Sequence, residues 1–481
     1  MPYWTLATLL AALLHGLAVV AVVVRVSTTR HPPGSAFAWI LLAAAVPAVG
    51  IGAYLLFGER PLGRWRERRM RDYLRELPRW AERLPRADAA AVRAAGTGAH
   101  ALARLAEHVG HMPLVDGNRL ELLADTQRIL RRLVADIDAA SRSVDLEFYI
   151  WNVGGTADEV QAALERAARR GVACRLLLDA LGSRPFFRGA APAALRAAGV
   201  RVVEALPVKL WQLPLVRADL RLHRKIALID HALAYCGSMN LVDPRFFKQD
   251  AGVGEWVDAM ARVEGPAVLA LAAVFDFDWL LQTGQRPALG AVPVPPAAGD
   301  ARVTLVASGP GTEVNANLRL ILEAIHQAQT RVLLTTPYFV PGEALSLALQ
   351  NAAMRGVEVR LLVPARNDSV LVSYASRWHY DDLLAAGVQV LQFDGGLLHT
   401  KSITVDDRVA LFGTVNLDLR SLDLNFELML LVLDTGFVGD LVRLQQGYEA
   451  RAARLDARRW RERGRAQRLR EGLAHLVSPL L

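Results

Sequence analysis

"LHRKIALID", Leu222 to Asp230, and "LHTKSITVD", Leu398 to Asp406, write one pattern, His-x-Lys-x-x-x-x-Asp, once in each half of a 481-residue chain. The chain holds 11 His and only four Lys, at 209, 225, 248 and 401, against 52 Arg. Chance gives about 0.09 His-x-Lys pairs at those frequencies, so two of them are not an accident of composition. Each His is also followed by Asp at +7, Gly at +14 and Asn at +17, the last two in "GSMN" (Gly237 to Asn240) and "GTVN" (Gly413 to Asn416).

The repetition extends outward from the motifs. "SRSVDLEFYIW" (Ser141 to Trp151) parallels "QTRVLLTTPYFV" (Gln329 to Val340), "ARRGVACRLLLD" (Ala168 to Asp179) parallels "AMRGVEVRLLVP" (Ala353 to Pro364), and "AAGVRVV" at Ala197 answers "AAGVQVL" at Ala385. Short β-rich apolar runs alternate with longer Ala/Leu segments, which predicts two tandem α/β domains with a mostly parallel sheet, related by pseudo-two-fold symmetry. The expected bounds are 117–290 and 300–481, joined by the Pro/Gly-rich connector Gln282 to Asp300. From the Val of "AAGV" to the motif His there are 23 residues in the first half and 11 in the second. The extra segment carries Leu210, Trp211, Leu213 and Leu215, and serves either as a lipid entrance or as a cover over the sheet.

Length allows two or three domains. A net charge of +8 points to an anionic partner, nucleic acid or membrane. Two uncharged stretches, Trp4 to Val24 and Ala36 to Phe57, are each long enough to cross a bilayer as a helix and favour the membrane. No charged side chain precedes the first, unlike a cleaved signal; two core helices of a soluble protein are the alternative. Residues 1–58 are thus expected as a two-helix transmembrane anchor. Arg25 and Arg30 lie between the stretches, whereas Arg60, Arg64, Arg66, Arg68, Arg69 and Arg71 follow the second, which puts both termini and the rest of the chain on the cytoplasmic side. Residues 59–116 then read as an amphipathic linker on the membrane surface. Cys174 and Cys236 are expected to be buried free thiols, and no Cys cluster suggests zinc.

Along an extended segment His223 and Lys225 share one face, as do His399 and Lys401. Asp230 and Asp406 fall on the opposite parity or in the following turn, as turn-fixing or supporting groups of the motif. Two imidazoles and two ammonium groups brought to one pocket suit a phosphorus centre without a metal or other cofactor. One His attacks phosphorus while the other protonates the departing alkoxide and then deprotonates the acceptor. The lysines offset phosphoryl charge, and Ser238, Asn240, Thr414 and Asn416 are candidate donors to the substrate. Such a pair needs opposite protonation states near neutral pH. Asp258 in "GEWVDAMARVEGP" and Glu427 in "LNFELML" are candidates to orient the rings.

The paired motifs resemble the phospholipase D superfamily. "EFYIW", "TPYFVP", "SGPG", "FDFDW", the closing "SPLL" and the two apolar stretches look like its bacterial cardiolipin synthase branch, from about Gly117 to the end. The resemblance implies His223 as nucleophile, His399 as general acid and base, and Asp258 and Glu427 as ring-orienting acids. Val257 and Ala259 depart from the more polar surroundings usual for that Asp. Arg221 is a further candidate phosphate contact, with a solvated surface role as the alternative. The implied reaction transfers a phosphatidyl group from one phosphatidylglycerol to another, releasing glycerol and forming cardiolipin at the bacterial inner membrane. A hydrolase, a transferase using another alcohol, a membrane-tethered nuclease and a lipid-binding scaffold are the competing readings; the spans disfavour the nuclease, and nucleic acid is not an expected partner. The basic carboxy-terminal segment, with Leu and Trp interleaved, reads as an interfacial helix near anionic headgroups. Oligomeric state is not legible.

Overall fold

The computed structural model describes residues 3–29, 33–58, 62–94, 97–207, 217, 219–286 and 292–478. The insertion's Leu210, Trp211, Leu213 and Leu215, connector residues 287–291, Arg30, Arg60 and the last three residues of "SPLL" lie outside the described residues. The chain divides into two compact units, Met1–Glu67 with Val208–Leu220, and Arg68–Pro207 with Arg221–Leu481.

In the first unit, the uninterrupted apolar run folds as one helix, Tyr3–Thr28. At about 1.5 Å per residue its 26 residues exceed the roughly 30 Å of a hydrocarbon layer. Its leucines are largely exposed, an apolar surface that water does not sustain. The second stretch does not form the single span expected from its composition. It is a helix at Pro33–Ala45, a break, and a shorter helix at Val49–Ala53 that continues as a π-turn over Tyr54–Gly58. Pro47 sits in the break; it has no N–H to continue the ladder, and Ala48 beside it takes a left-handed φ of 61°. Among the described residues, therefore, one helix is long and apolar enough to cross a membrane. The broken stretch packs back on the first helix through Val22, Val26, Ala43 and Tyr54.

The second unit is built on one fifteen-stranded sheet. From one edge it runs Arg201–Ala205, Ala173–Asp179, Ser143–Phe148, Ile226–Ile229, Leu233–Gly237, Met260–Glu264 and Val115–Leu123. The same seven-strand order then repeats in reverse, as Ala301–Ser308, Glu427–Leu433, Val409–Gly413, Ser402–Val405, Arg331–Thr335, Glu358–Pro364 and Gln389–Phe393, with Ala452–Arg454 added at the far edge. The two halves join through the antiparallel pair Val115–Leu123 and Ala301–Ser308. The expectation of a mostly parallel sheet is corrected. Only the outer three strands of each half, those joined by crossover helices, are parallel. The motif strands turn straight back on themselves through three residues, Asp230–Ala232 and Asp406–Arg408, and so short a connection can only make an antiparallel pair.

The segment expected to lie on the membrane is partly core. Helix Thr97–Gly110 buries Leu102, Ala106 and Val109 against Val306, Leu320 and Ile321 of the second half. In helix Arg64–Ala81, Tyr73 Oη donates to Ala273 O at 2.7 Å, Arg69 donates to Leu281 O at 3.1 Å, and Met70, Leu77 and Trp80 are buried. These apolar faces are covered by protein, so they are not free to face lipid. Cys174 and Cys236 are buried free thiols.

Candidate active site where the two halves meet

Short backbone pairings thread each motif histidine onto the other half. His223 N donates to Phe426 O at 2.9 Å, and His399 N donates to Val257 O at 2.8 Å. The next residues are Glu427 and Asp258, so the ring-orienting acids act crosswise. His223 Nδ1 lies 2.8 and 2.9 Å from the Glu427 oxygens, and His399 Nδ1 lies 2.7 Å from Asp258 Oδ1. A carboxylate only accepts, so Nδ1 carries the proton and each Nε2 keeps a free lone pair.

The two carboxylates are held from below. Ser238 Oγ donates to Asp258 Oδ1 at 2.6 Å and accepts from Ala259 N; Thr414 Oγ1 donates to Glu427 Oε2 at 2.5 Å and accepts from Leu428 N. Each hydroxyl has one proton, and the acid takes it. Ser238 and Thr414, expected as donors to substrate, are therefore positioning groups. This also explains the Gly at His+14: a Cβ on Gly237 would lie 2.4 Å from Ala259 O, and one on Gly413 2.3 Å from Leu428 O. Asn240 accepts Ile150 N–H on its Oδ1, while Asn416 hydrogen-bonds Asp418, whose carboxyl burial pushes up to about 6.

Asp230 and Asp406, expected as turn-fixing or supporting groups of the motif, stand at turns and do not touch the imidazoles. Asp230 accepts the N–H groups of Ser141, Arg142 and Ser143 at 2.7 to 2.9 Å; Asp406 accepts those of Gln329, Thr330 and Arg331 at 2.8 to 2.9 Å. Each opens a hairpin turn with two successive left-handed residues, Asp230–His231 and Asp406–Asp407, the backbone of a type I′ turn. Arg221 is half-buried, and its charge acts on Asp179 and Tyr149, which is not a solvated surface role.

Burial lowers the His223 pKa to about 4; Glu427 opposes this, while Lys225 and Lys401 reinforce it. His399 is likewise lowered to about 4 by burial, against Asp258 and with both lysines. Each imidazole thus feels the lysines of both motifs, which places the four side chains in one electrostatic neighbourhood. The expected opposite protonation states are not built into the free site: both rings are held neutral. Burial also brings Lys225 down to about 8 and pushes Lys401 well below the ordinary ammonium range. Lys225 Nζ donates to His223 O at 2.6 Å and Lys401 Nζ to His399 O at 2.5 Å, which fixes both ammonium groups beside the rings. Burial is the largest cause in all four cases, and a bound anion would oppose it by raising the proton affinity of the rings and amines.

Several site residues escaped sequence reasoning. Tyr149 meets the His223 ring edge-on at 5.1 Å, and Trp256 lies 4.2 Å from the His399 ring. Both stood inside quoted stretches, "EFYIW" and "GEWVD", where an aromatic beside the acid or strand end was the available signal. Arg224, between His223 and Lys225, is fully buried and donates to Glu427 O and Ser308 O, both at 3.0 Å, and to Asp278. Strand alternation places it opposite its neighbours, hence in the core.

Residues 133–267 and 321–446 match the family described as cardiolipin synthase, PLD-like domain, and residues 16–59 match the phospholipase D-nuclease N-terminal family. The chain is 45% identical over 484 residues to cardiolipin synthase A of Citrobacter koseri, covering 100% of this chain and 99% of the relative. The same figures hold for cardiolipin synthase A of Yersinia pseudotuberculosis. In fold it is similar to the phosphatidylserine synthase of Haemophilus influenzae, with a TM-score of 0.59, 14% identity, and coverage of 79% of this chain and 100% of that one. With a family match on both motif-bearing halves and relatives aligned from end to end, the chain belongs to the cardiolipin synthase branch of the phospholipase D superfamily.

Proposed function

We propose that this protein is a cardiolipin synthase that moves a phosphatidyl group between two phosphatidylglycerol molecules through a phosphohistidine. The observation that carries the chemistry is the crosswise pair of imidazoles, each with Nδ1 tied to a carboxylate of the other half and Nε2 free. His223 Nε2 attacks phosphorus, forming a P–N bond as the P–O bond to glycerol breaks. His399, charged once the anionic phosphodiester raises its proton affinity, gives its proton to the leaving alkoxide. Neutral again, it takes the proton from a hydroxyl of the second phosphatidylglycerol, whose oxygen displaces His223 and restores the free enzyme. Lys225 and Lys401 balance the phosphoryl charge throughout. Confining both lipids to one plane lowers the entropic barrier to their meeting.

The amino-terminal region acts as a two-pass anchor in the bacterial inner membrane, with the site on the cytoplasmic face. Support comes from the long helix Tyr3–Thr28, the kinked apolar stretch packed on it, and the arginines that follow.

The test is incubation of the purified protein in mixed micelles with labelled phosphatidylglycerol, without divalent cations, followed by lipid chromatography. Cardiolipin with an equal amount of glycerol is the expected result. Phosphatidic acid alone would make it a hydrolase, and cleavage of nucleic acid alone a nuclease. Because Lys225 is charged only below its pKa of about 8, kcat/KM is expected to fall as pH rises through that value.

A further inference from the structure

Helix Arg465–Leu476 near the carboxy terminus is turned inside out. Its inner face carries Glu471, which is fully buried and accepts from Arg377 Nε at 2.9 Å, Arg463 Nε at 2.8 Å and Gln467 Nε2 at 3.2 Å. Arg463 also makes a two-pronged pair with Asp381, 2.7 Å on each arm. These ionic bonds fasten the helix to its neighbour, Val370–Ala386. Its outer face presents Leu469, Leu473 and Leu476, exposed by 64%, 56% and 75%. Their i, i+4, i+7 spacing makes one stripe. A helix held only by its own apolar face would place those leucines inward.

The surroundings of the stripe identify what covers it. Arg465, Arg468 and Arg470 are exposed around it, and Trp378, partly exposed, stacks on His475 at 5.2 Å. Residues 451–478 hold nine Arg against three acidic residues. A second copy would bring the same charge to the contact and be repelled. Apolar side chains flanked by arginines that reach up to phosphates, with an aromatic ring at the boundary, match an anionic lipid surface.

We propose that the Leu469, Leu473 and Leu476 stripe docks the catalytic unit on an anionic bilayer, with the leucines at the boundary between headgroups and acyl chains. The docking stands on the two faces of this helix and does not depend on which group the active site transfers.

The test uses the full chain, Leu473→Cys, carrying a polarity-sensitive fluorophore, with Cys174 and Cys236 protected by burial. In vesicles with about one-third phosphatidylglycerol in phosphatidylcholine, the emission shifts to the blue and is quenched by spin-labelled lipid; the effect weakens in pure phosphatidylcholine and at about 0.5 M salt. An unshifted, unquenched label in both vesicles overturns the proposal, as does disulfide cross-linking of two chains through position 473. In a second arm, Leu469→Asp with Leu473→Asp lowers turnover of bilayer phosphatidylglycerol about tenfold and leaves turnover of a short-chain, monomeric phosphatidylglycerol within about twofold. Equal loss on both substrates overturns docking. If the unsubstituted protein turns over neither lipid, the function reading fails and the fluorophore alone decides docking.

Discussion

Arg224 and Thr400 occupy corresponding places, each between the His and Lys of its motif, and their surroundings differ in kind. Arg224 sits in a buried charged cluster with Asp278 and Glu147 and reaches the backbone of Glu427, the acid that orients His223. Burial, then the Asp278 charge, pushes the Glu147 carboxyl well above its usual range. Thr400 offers one hydroxyl, 3.2 Å from Val257 O and 3.1 Å from Tyr448 Oη. Nearby, Gln445 bonds Thr404, Ser402 and Leu333 O, again without charge. The imidazole–carboxylate pairs match, while the layer beneath one is ionic and beneath the other neutral. The two histidines, both lowered to about 4, thus rest on unlike layers, and the proposed division into nucleophile and acid rests on that contrast.

The largest effects test that division. His223→Ala and His399→Ala are each expected to lower kcat by about 10⁴-fold or more. Rapid acid-free quenching with phosphorus-labelled lipid should trap label on the protein in His399→Ala and none in His223→Ala; label that survives loss of His223 reverses the assignment. Next come the crosswise acids. Glu427→Gln and Asp258→Asn remove the acceptor that fixes the tautomer, with a loss of about 10²- to 10³-fold in kcat. Nitrogen NMR in micelles should show Glu427→Gln perturbing the His223 ring more than that of His399, and the opposite would mean pairing within halves.

The foundations themselves come third. Arg224→Met strands a buried Asp278 and is expected to lower unfolding free energy by about 3–5 kcal/mol. Thr400→Val removes one neutral bond and lowers it by about 1 kcal/mol. Denaturant titrations in micelles measure both, and equal losses would erase the contrast. The smallest effect on chemistry is expected at the turns. Asp230→Ala and Asp406→Ala should cost about 1–2 kcal/mol of stability while the folded protein keeps kcat within about twofold. A kcat loss of about a hundredfold in the folded protein would instead place these aspartates among the groups that support the chemistry.

Much of this was legible in the chain. Repeated offsets identified both motifs, and the two acids were found by their setting. The parallel-sheet expectation failed because alternation of strand and helix describes only the outer part of each half. The turns that reverse the motif strands are Asp-His and Asp-Asp, without the glycine that ordinarily marks a type I′ turn. Ser238 and Thr414 were assigned to the substrate because sequence gives a hydroxyl but not the direction of its proton. The broken second apolar stretch shows the converse: Pro47 was visible, while the extent of the break depended on how the chain packs back on the first helix.

By itself the sequence determined which groups are present and how often: two imidazoles and two ammonium groups at matched offsets, with a carboxylate some way downstream of each motif, on a duplicated α/β scaffold behind an apolar leader. Only the tertiary structure decided which carboxylate serves which ring, that both rings are neutral before substrate binds, and that the underlying layers differ. Those outcomes depend on exchanges between segments 204 and 141 residues apart and on burial that removes water from charged groups. Hydrogen-bond direction and desolvation are properties of neighbours in space, and spacing along the chain does not encode them.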